Sequence, residues 1–270
     1  MFSSKIGGLA FAARSLGALG TSIKTRLEQI TDREKLRLDQ KDITFFGGEP
    51  DLPLPQALAD AVRSAKESVV IFMNTISNNG SLSLGHGSGF VVGDDGLVLT
   101  ARHVMRGKKT VNAITKGKHY RVSLLGEDRK NDLSLVRLLP ALATEEPHRF
   151  KSLLLSDEEL FRGRLVAGLG FPLKVKYQVS VGTYLAEFVV PPDLALPDAL
   201  AEGILFDGLW DEGGSGGPII TEKGVVALAA AMEITGERRL MAVGCAELQE
   251  FLAANRYNKG TDVPFHSIED

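Results

Sequence analysis

The sequence predicts a fold built mainly of β-strands. Short apolar runs typical of buried strands recur through the middle of the chain, for example at residues 68–73, 90–92 and 97–100. Turn signals separate these runs, and Asp94-Asp95-Gly96 joins two of them as a predicted hairpin. A chain of 270 residues with 44% hydrophobic content can bury a large core in one unit, so no second domain is required.

Residues 1–55 are predicted to be an extension in front of the main domain. Residues 1–27 carry Lys and Arg but no acid, and their apolar residues recur on one helical face. This basic amphipathic pattern is compatible with an organellar transit peptide, a membrane-surface anchor, or a packed or poorly ordered extension. No transmembrane helix is predicted, and the compartment stays open between an organelle and the bacterial cytoplasm or membrane surface.

The main domain is predicted to begin after a proline-rich linker. Residues 28–42 are densely charged and indicate a solvated helix, and three prolines in the linker at 46–55 prevent a continuous helix. Residues 56–66 then have helical spacing and lead into the first strand. The boundary is therefore placed at residue 55.

The most informative stretch is Asp211 to Pro218, in which four glycines surround Ser215. Residues without a Cβ reach positive φ and allow main-chain N–H groups to converge on one point, which is what an oxyanion needs. A serine hydroxyl is a weak nucleophile unless a base and a carboxylate behind that base activate it. The stretch therefore predicts a nucleophilic serine and directs attention to upstream histidine and aspartate residues.

Two upstream residues suit these roles. His103 follows the strand-like run at 97–100, and a histidine just past a buried strand is held by a rigid scaffold. Asp132 lies 29 residues later, which leaves room for two strands near 110–115 and 119–124 that return the chain to His103. We expect Asp132 to accept the Nδ1–H of His103 and to stabilise the imidazolium formed when Ser215 is deprotonated.

The order His, Asp, Ser and the motifs around these residues resemble the trypsin-like serine peptidases, most closely the protease domain of the HtrA (Deg) group. Asp207, eight residues before the serine, falls where that group also carries an aspartate. The resemblance covers roughly residues 57–256, and it rests on the segments Gly87–Val92, Leu97–Val104, Asn131–Val136, Ala167–Pro172, Ser180–Thr183 and Gly213–Pro218.

The resemblance implies an all-β fold of two six-stranded antiparallel barrels, divided near residues 140–150, with a C-terminal helix at 246–256. It implies catalysis by His103, Asp132 and Ser215. It also implies an oxyanion hole made by the main-chain N–H groups of Gly213 and Ser215, with Gly214 shaping the turn.

Gly214 departs from the resemblance, because trypsins have aspartate there and the HtrA group usually has asparagine. Without that aspartate, activation by trapping a new N-terminus is not expected. A glycine also makes the loop more flexible, so ordering of the pocket by substrate, a partner or oligomerisation is a hypothesis.

Specificity is expected to depend on Leu209 and Trp210 just before the serine, and on Ala229, Ala230 and Ala231, which are placed to pair with an extended peptide. Leu209 stands where trypsins that read Arg or Lys carry an acid. We therefore expect small or medium apolar P1 side chains.

Composition excludes several other classes of function. A net charge of −3 does not indicate a positively charged surface that would bind polyanions, so nucleic acid is not an expected partner. The single cysteine, Cys245, cannot form an intramolecular disulfide and lies among apolar residues, so it is interpreted as a small buried side chain. His86 is an alternative candidate for a ligand or second base, but the glycines around it more often permit a bend in a strand than chemistry. No metal or cofactor is expected.

The predicted organisation is an N-terminal extension at 1–55, a peptidase domain at 56–256 and a tail at 257–270. In the HtrA group a PDZ domain usually follows the protease domain, and none is expected in this tail. The predicted function is serine endopeptidase activity on proteins or peptides, in quality control, regulation or processing. Two alternatives remain: a catalytically silent binding or scaffold protein on the same fold, and a narrow self-processing protease. A homo-oligomer and contact of residues 1–27 with a membrane surface are possible associations.

Overall fold

A computed structural model describes the main domain of the chain. The described residues are 54–78, 81–106, 110–140, 148–171, 177–189, 200, 202–208, 214–235 and 237–255. The predicted N-terminal amphipathic segment, the charged helix and the C-terminal tail lie outside them. None of the described helices is long and apolar enough to cross a membrane.

Three α-helices and twelve strands are found in the described residues. The helices are α1 (Gln56–Ala65), α2 (Arg102–Met105) and α3 (Cys245–Asn255), and a 3-10 turn at Lys66–Ser68 follows α1. The strands are β1 (Val69–Asn78), β2 (Ser81–Val91), β3 (Leu97–Ala101), β4 (Thr110–Thr115), β5 (Lys118–Asp128), β6 (Leu133–Pro140), β7 (Leu165–Gly170), β8 (Gln178–Val189), β9 (Glu202–Gly208), β10 (Pro218–Thr221), β11 (Gly224–Thr235) and β12 (Glu237–Gly244).

The strands close into two barrels. The first has the order β1-β2-β3-β6-β5-β4 and the second the order β10-β11-β12-β9-β8-β7, and the paired strands are antiparallel. Closure of each barrel removes the exposed edges that an open sheet would present. The prediction of two six-stranded antiparallel barrels is confirmed.

Large apolar side chains fill both barrels. Phe72, Phe90 and Leu99 are fully buried in the first barrel, and Phe206 and Ile219 are fully buried in the second. Several of the strands that carry them are buried at consecutive positions, as β3 and β10 are, which is typical of strands covered on both faces. The buried strands provide a rigid frame for the loops between them.

The two terminal helices pack on this frame. Helix α1 buries Leu58 and Val62, which lie four residues apart on one helical face. Helix α3 buries Leu248 and Phe251, which lie three residues apart, and contacts strands of both barrels. The predicted C-terminal helix is confirmed, although it begins at Cys245, one residue earlier than expected.

One predicted strand start was wrong. The sequence predicts that two apolar runs, at 153–155 and 164–167, start the second barrel, but in the first run Leu155 forms only an isolated parallel bridge to Val225. The first regular strand of the second barrel begins at Leu165. The apolar run has the composition of a strand, but it has no continuous partner because the barrel is closed without it.

Candidate active site

His103 is held by the end of a buried strand. Strand β3 runs through the first barrel between β2 and β6, and α2 begins directly after it. Ala101 has extended backbone angles, so the chain turns sharply into the helix at Arg102. The histidine is therefore fixed by a short helix on a rigid strand, as the sequence predicted.

Asp132 binds this helix start in three ways. Its carboxylate accepts hydrogen bonds from the His103 N–H at 2.9 Å and is 2.6 Å from His103 Nδ1. Its backbone oxygen accepts the Arg102 N–H at 2.7 Å. The predicted contact between Asp132 and His103 is present, and the backbone bonds fix its geometry.

The two side chains differ in exposure. The Asp132 side chain is 12% exposed, whereas the His103 side chain is 48% exposed. A carboxylate shielded from water interacts strongly with the ring beside it, while the open side of the ring remains accessible. With Nδ1 engaged by the carboxylate, Nε2 is the ring nitrogen that remains for proton transfer.

The loop that carries Ser215 packs against the same end of β3. Gly216 has φ +83°, and a Cβ there would collide with the Ser88 carbonyl oxygen and the Thr100 hydroxyl and lie 2.8 Å from Ala101 N. Only glycine fits this close approach in the left-handed region. The residue after Ser215 therefore touches the strand end from which His103 follows two residues later.

Ser88 on β2 connects the serine loop to both barrels. Its N–H donates to the Ser215 carbonyl at 2.8 Å, and its own carbonyl accepts the Thr100 hydroxyl at 2.7 Å. Its hydroxyl accepts the Phe171 N–H at the end of β7 at 2.9 Å. Ser88 is fully buried, so these bonds are protected from water.

Ser215 is half-buried, and its hydroxyl makes a long hydrogen bond to β11. Its hydroxyl is 3.4 Å from the Ala230 carbonyl oxygen, longer than a strong O–H···O bond. Within the part of the chain that the structure describes, the Ser215 N–H has no hydrogen-bond acceptor. Gly214 lies beside Gly170 and accepts the Gly217 N–H at 2.8 Å, whereas Gly213 lies outside the described residues.

The predicted specificity residues are only partly described, since Leu209 and Trp210 lie outside the described residues. Ala229 donates its N–H to Gly217 O at 2.9 Å and accepts the Gly216 N–H at 2.7 Å. Because an N–H group donates one such bond, Ala229 has none to offer a substrate. Ala230 is buried beside Ser215 and Ala231 is exposed, and the pairing of β11 with β12 is irregular between Ala229 and Ala231.

Three other residues that the sequence analysis named are described by contacts that do not involve His103, Asp132 or Ser215. Asp207 accepts the N–H and hydroxyl of Thr183 at 2.9 and 2.7 Å and so ties β9 to β8. Burial raises the pKa of the Cys245 thiol to about 11, which keeps it protonated near neutral pH. His86 on β2 is partly buried, and burial lowers its pKa. No group of three metal-binding side chains was found among the described residues.

The sequence interpretation missed three residues that support the site. Ser88 and Thr100 connect the serine loop to β3, and Asp128 orders the turn that carries Asp132. The signals were present: Ser88 stands between two glycines, and Asp128 precedes a polar turn, where aspartate commonly bonds the backbone two residues ahead.

Comparison with known proteins gives a consistent result. A family model described as a trypsin-like peptidase domain matches residues 87–254. The serine protease HTRA1A of Danio rerio is 27% identical over 201 residues, which is 73% of this chain and 40% of the relative. The mitochondrial serine protease HTRA2 of Bos taurus is 28% identical over 216 residues, 77% of this chain and 46% of the relative. The chain spans less than half the length of these curated relatives.

Solved structures show the same fold. The active form of the Rv3671c protease from M. tuberculosis has a TM-score of 0.64 at 20% identity, covering 80% of this chain and 91% of that chain. The inactive form has a TM-score of 0.60 at 20% identity, covering 76% and 97%.

Proposed function

The chain belongs to the trypsin-like peptidase family, and we propose that it hydrolyses peptide bonds as a serine endopeptidase of the HtrA type. The observation that carries this proposal is the 2.6 Å contact between His103 Nδ1 and the shielded Asp132 carboxylate, at the strand end against which the Ser215 loop packs. An imidazole held by a carboxylate is the base that a serine nucleophile requires.

The proposed reaction proceeds through an acyl-enzyme. Ser215 Oγ attacks the carbonyl carbon of the scissile bond while His103 Nε2 accepts the hydroxyl proton. The tetrahedral intermediate places its negative oxygen against the N–H groups of Ser215 and Gly213. His103 then gives the proton to the leaving amine, the C–N bond breaks, and a water molecule activated by His103 releases the acyl group.

Asp132 has an electrostatic and orienting role in this scheme. It holds the proton of the neutral ring on Nδ1, so that Nε2 faces the reaction as an acceptor. It also stabilises the imidazolium that forms in each half of the reaction. Its low exposure supports this role, since a carboxylate out of water interacts more strongly with the developing charge.

We further propose a preference for small or medium apolar P1 side chains. A substrate strand would lie along β11 at Ala230 and Ala231, since the backbone N–H of Ala229 is already used. Leu209 and Trp210 are proposed to line the P1 pocket. Proteins or peptides are the proposed substrates, in quality control, regulation or processing.

A fluorophosphonate probe tests the proposal directly, because it reacts with an activated serine and not with an ordinary hydroxyl. The full chain is expected to label with one probe per molecule, and Ser215→Ala is expected to abolish the labelling. Asp132→Asn is expected to slow it by about 10⁴-fold, as loss of the correct histidine tautomer does in such triads. Mass measurement of the labelled chain gives the stoichiometry.

Ser68→Ala serves as the control, because this serine is buried in the turn after α1 and is no part of the proposed site. It is expected to label like the unchanged chain. A chain that folds and never labels would contradict the enzyme proposal and favour the silent binding or scaffold protein. Narrow self-processing would instead appear as a decrease in chain mass that Ser215→Ala prevents.

A further inference from the structure

The turn that carries Asp132 is organised by another carboxylate. Asp128 is the last residue of β5, and residues 129–132 connect it to Leu133, the first residue of β6. Asp128 and Leu133 are paired across the two strands. The pairing of β5 with β6 therefore holds the two ends of the turn. It does not by itself determine the path of the four residues between them.

Three donors of this turn converge on Asp128. Its Oδ1 accepts the N–H groups of Lys130 at 2.8 Å and Asn131 at 3.2 Å, and its Oδ2 accepts the Asn131 side-chain amide at 2.8 Å. A carboxylate that satisfies two consecutive backbone N–H groups fixes the path of the chain between them. Asn131, which makes two of these bonds, directly precedes Asp132.

Asp132 needs such support because its backbone is strained. It has φ +52°, in the left-handed region that residues with a Cβ rarely occupy. Such a conformation persists only when its surroundings determine it, and strained residues of this kind concentrate at functional sites. In this conformation the backbone oxygen and the carboxylate of Asp132 both face the start of α2, where Arg102 and His103 donate to them.

A second polar anchor of residues 129–131, an ion pair, is weak. Lys130 Nζ forms an ion pair with Glu202 at 2.5 Å, but both side chains are well exposed to water. Water and salt screen such pairs, and ordering two long side chains opposes them. The path of residues 129–131 is therefore fixed mainly by Asp128, while Asp132 itself is hydrogen-bonded to α2.

We propose that Asp128 is a positioning residue for catalysis: it holds the turn at 129–131 so that Asp132 stays in its left-handed conformation and keeps its carboxylate on His103. Asp128 does not touch the reacting atoms and acts through Asp132. This inference rests on the proposed peptidase function.

Two measurements on the full chain test the proposal. The first is the rate of fluorophosphonate labelling at Ser215. The second is the far-downfield proton resonance of the His103 Nδ1–H bound to Asp132, which reports the hydrogen bond without requiring activity. Asp132→Ala assigns that resonance by removing it.

Four variants separate positioning from general stability. Asp128→Ala removes all three acceptor contacts and is expected to slow labelling roughly 10- to 100-fold, the range for a misplaced catalytic group, and to broaden or abolish the resonance. Asp128→Asn keeps an acceptor oxygen for the two backbone N–H groups and is expected to restore most of the rate and the resonance. Asp128→Glu keeps the charge but moves the carboxylate by one methylene group, and is expected to label more slowly than Asp128→Asn. Asp94→Ala changes a turn aspartate that pairs with Arg149 and is expected to match the unchanged chain.

The outcomes are distinguishable. Wild-type rate and an intact resonance in Asp128→Ala would overturn the proposal, and so would a slower rate with an unchanged resonance. If Asp128→Ala does not fold, equal rates and resonances in Asp128→Glu, Asp128→Asn and the unchanged chain would overturn it. An unchanged chain that never labels would contradict the peptidase function, while the resonance would still decide whether Asp128 positions Asp132.

Discussion

Two residues near the site adopt left-handed backbone angles for different reasons. Gly216 does so because the Ser88 carbonyl, the Thr100 hydroxyl and Ala101 N leave no space for a side chain. Asp132 carries a side chain, and it adopts this conformation between the turn that Asp128 orders and the hydrogen bonds to α2. The first conformation is required by packing, whereas the second costs energy that the surrounding bonds offset.

Gly216→Ala is expected to destabilise the protein by about 3 kcal/mol or more and to abolish labelling of Ser215. The added methyl group adds steric overlap to an unfavourable backbone angle, and relief of that overlap must move the serine loop away from β3. Thermal unfolding and the probe reaction measure the two effects.

Gly117→Ala is the matched control for this prediction. Gly117 has φ +71°, but a Cβ there would have nothing within 4 Å. Only the backbone cost of about 1 kcal/mol is expected, with normal labelling. Equal effects of the two substitutions would show that the close approach at Gly216 is not what matters.

At the residue scale the sequence indicated which residue types form the candidate site, but it indicated less about their backbone angles and hydrogen bonds. The glycine-rich stretch predicted positive φ near the serine, and Gly216 has it. The left-handed angle of Asp132 could not be predicted, because the local turn at Asp128 acts together with hydrogen bonds to residues 29 or more positions earlier in the chain. The oxyanion role of Gly213 stays a prediction.

Residues 148–164 are described without a regular strand, and ion pairs and hydrogen bonds connect them to the second barrel. The Glu158 side chain, only 6% exposed, accepts two hydrogen bonds from Arg164 and one from the Thr221 hydroxyl at 2.8 Å. Burial raises the pKa of Glu158, but the bonds from Arg164 and Thr221 and the nearby charge of Lys223 outweigh it and leave the pKa below its ordinary value. The network replaces the strand pairing that this segment lacks.

Glu158→Gln is expected to lower stability by about 2 kcal/mol at pH 7, because Arg164 loses its buried charged partner. A carboxyl group with a lowered folded-state pKa stabilises the fold above its unfolded value, about 4.3, and this contribution is lost as pH falls through the folded value. The difference in melting temperature between the two proteins should therefore be full at pH 7 and shrink below about pH 4.3.

Glu67→Gln provides the comparison for this pH dependence. A hydrogen bond and the charge of Lys116 also lower the pKa of Glu67, but this pair is exposed to water. Its effect on melting temperature should be much smaller at every pH. A difference between Glu158→Gln and the unchanged chain that stays constant down to pH 3 would contradict the ion-pair explanation.

At the element scale, apolar runs and turn signals predicted strands reliably where strands are buried. The predicted strands near 110–115 and 119–124 correspond to β4 and β5. The run at 153–155 misled the prediction, because composition indicates that a segment fits a sheet but not whether a partner strand is free. The domain boundary at residue 55 stays a prediction.

The whole molecule brings its two barrels together at the serine loop. Ser88 belongs to the first barrel, and its hydroxyl accepts the Phe171 N–H from the second barrel while its backbone holds Ser215. Ser88→Ala is expected to cost about 1–3 kcal/mol, since it removes a buried acceptor. It is also expected to slow labelling of Ser215, because the serine loop and β7 lose a shared support.

Ser68→Ala is the counterpart, since both serines are fully buried. Among the described residues the Ser68 hydroxyl has no hydrogen-bond partner, so its removal should leave stability unchanged or raise it. Denaturant unfolding of both variants makes the comparison. Equal losses would mean that cavity formation, and not the bond to Phe171, determines the cost.

At the scale of the whole molecule, the sequence patterns alone did not predict the architecture, and the resemblance to a known family was needed. Local patterns predicted strands and turns, but the closure into two barrels followed from the likeness to a known family, because strand order depends on contacts distant in sequence. The hydrogen bonds of Ser88 between barrels could not be predicted, since they join residues 83 and 127 positions apart.

The division of the site between the barrels has a further consequence. His103 and Asp132, the proposed base and its carboxylate, share the first barrel, whereas Ser215, the proposed nucleophile, lies on a loop that enters the second. A small molecule bound between the barrels would keep the Ser215 hydroxyl away from the imidazole without disturbing the pair of His103 and Asp132. Such an inhibitor would leave the Nδ1–H resonance intact while abolishing probe labelling, and it would need no resemblance to a peptide.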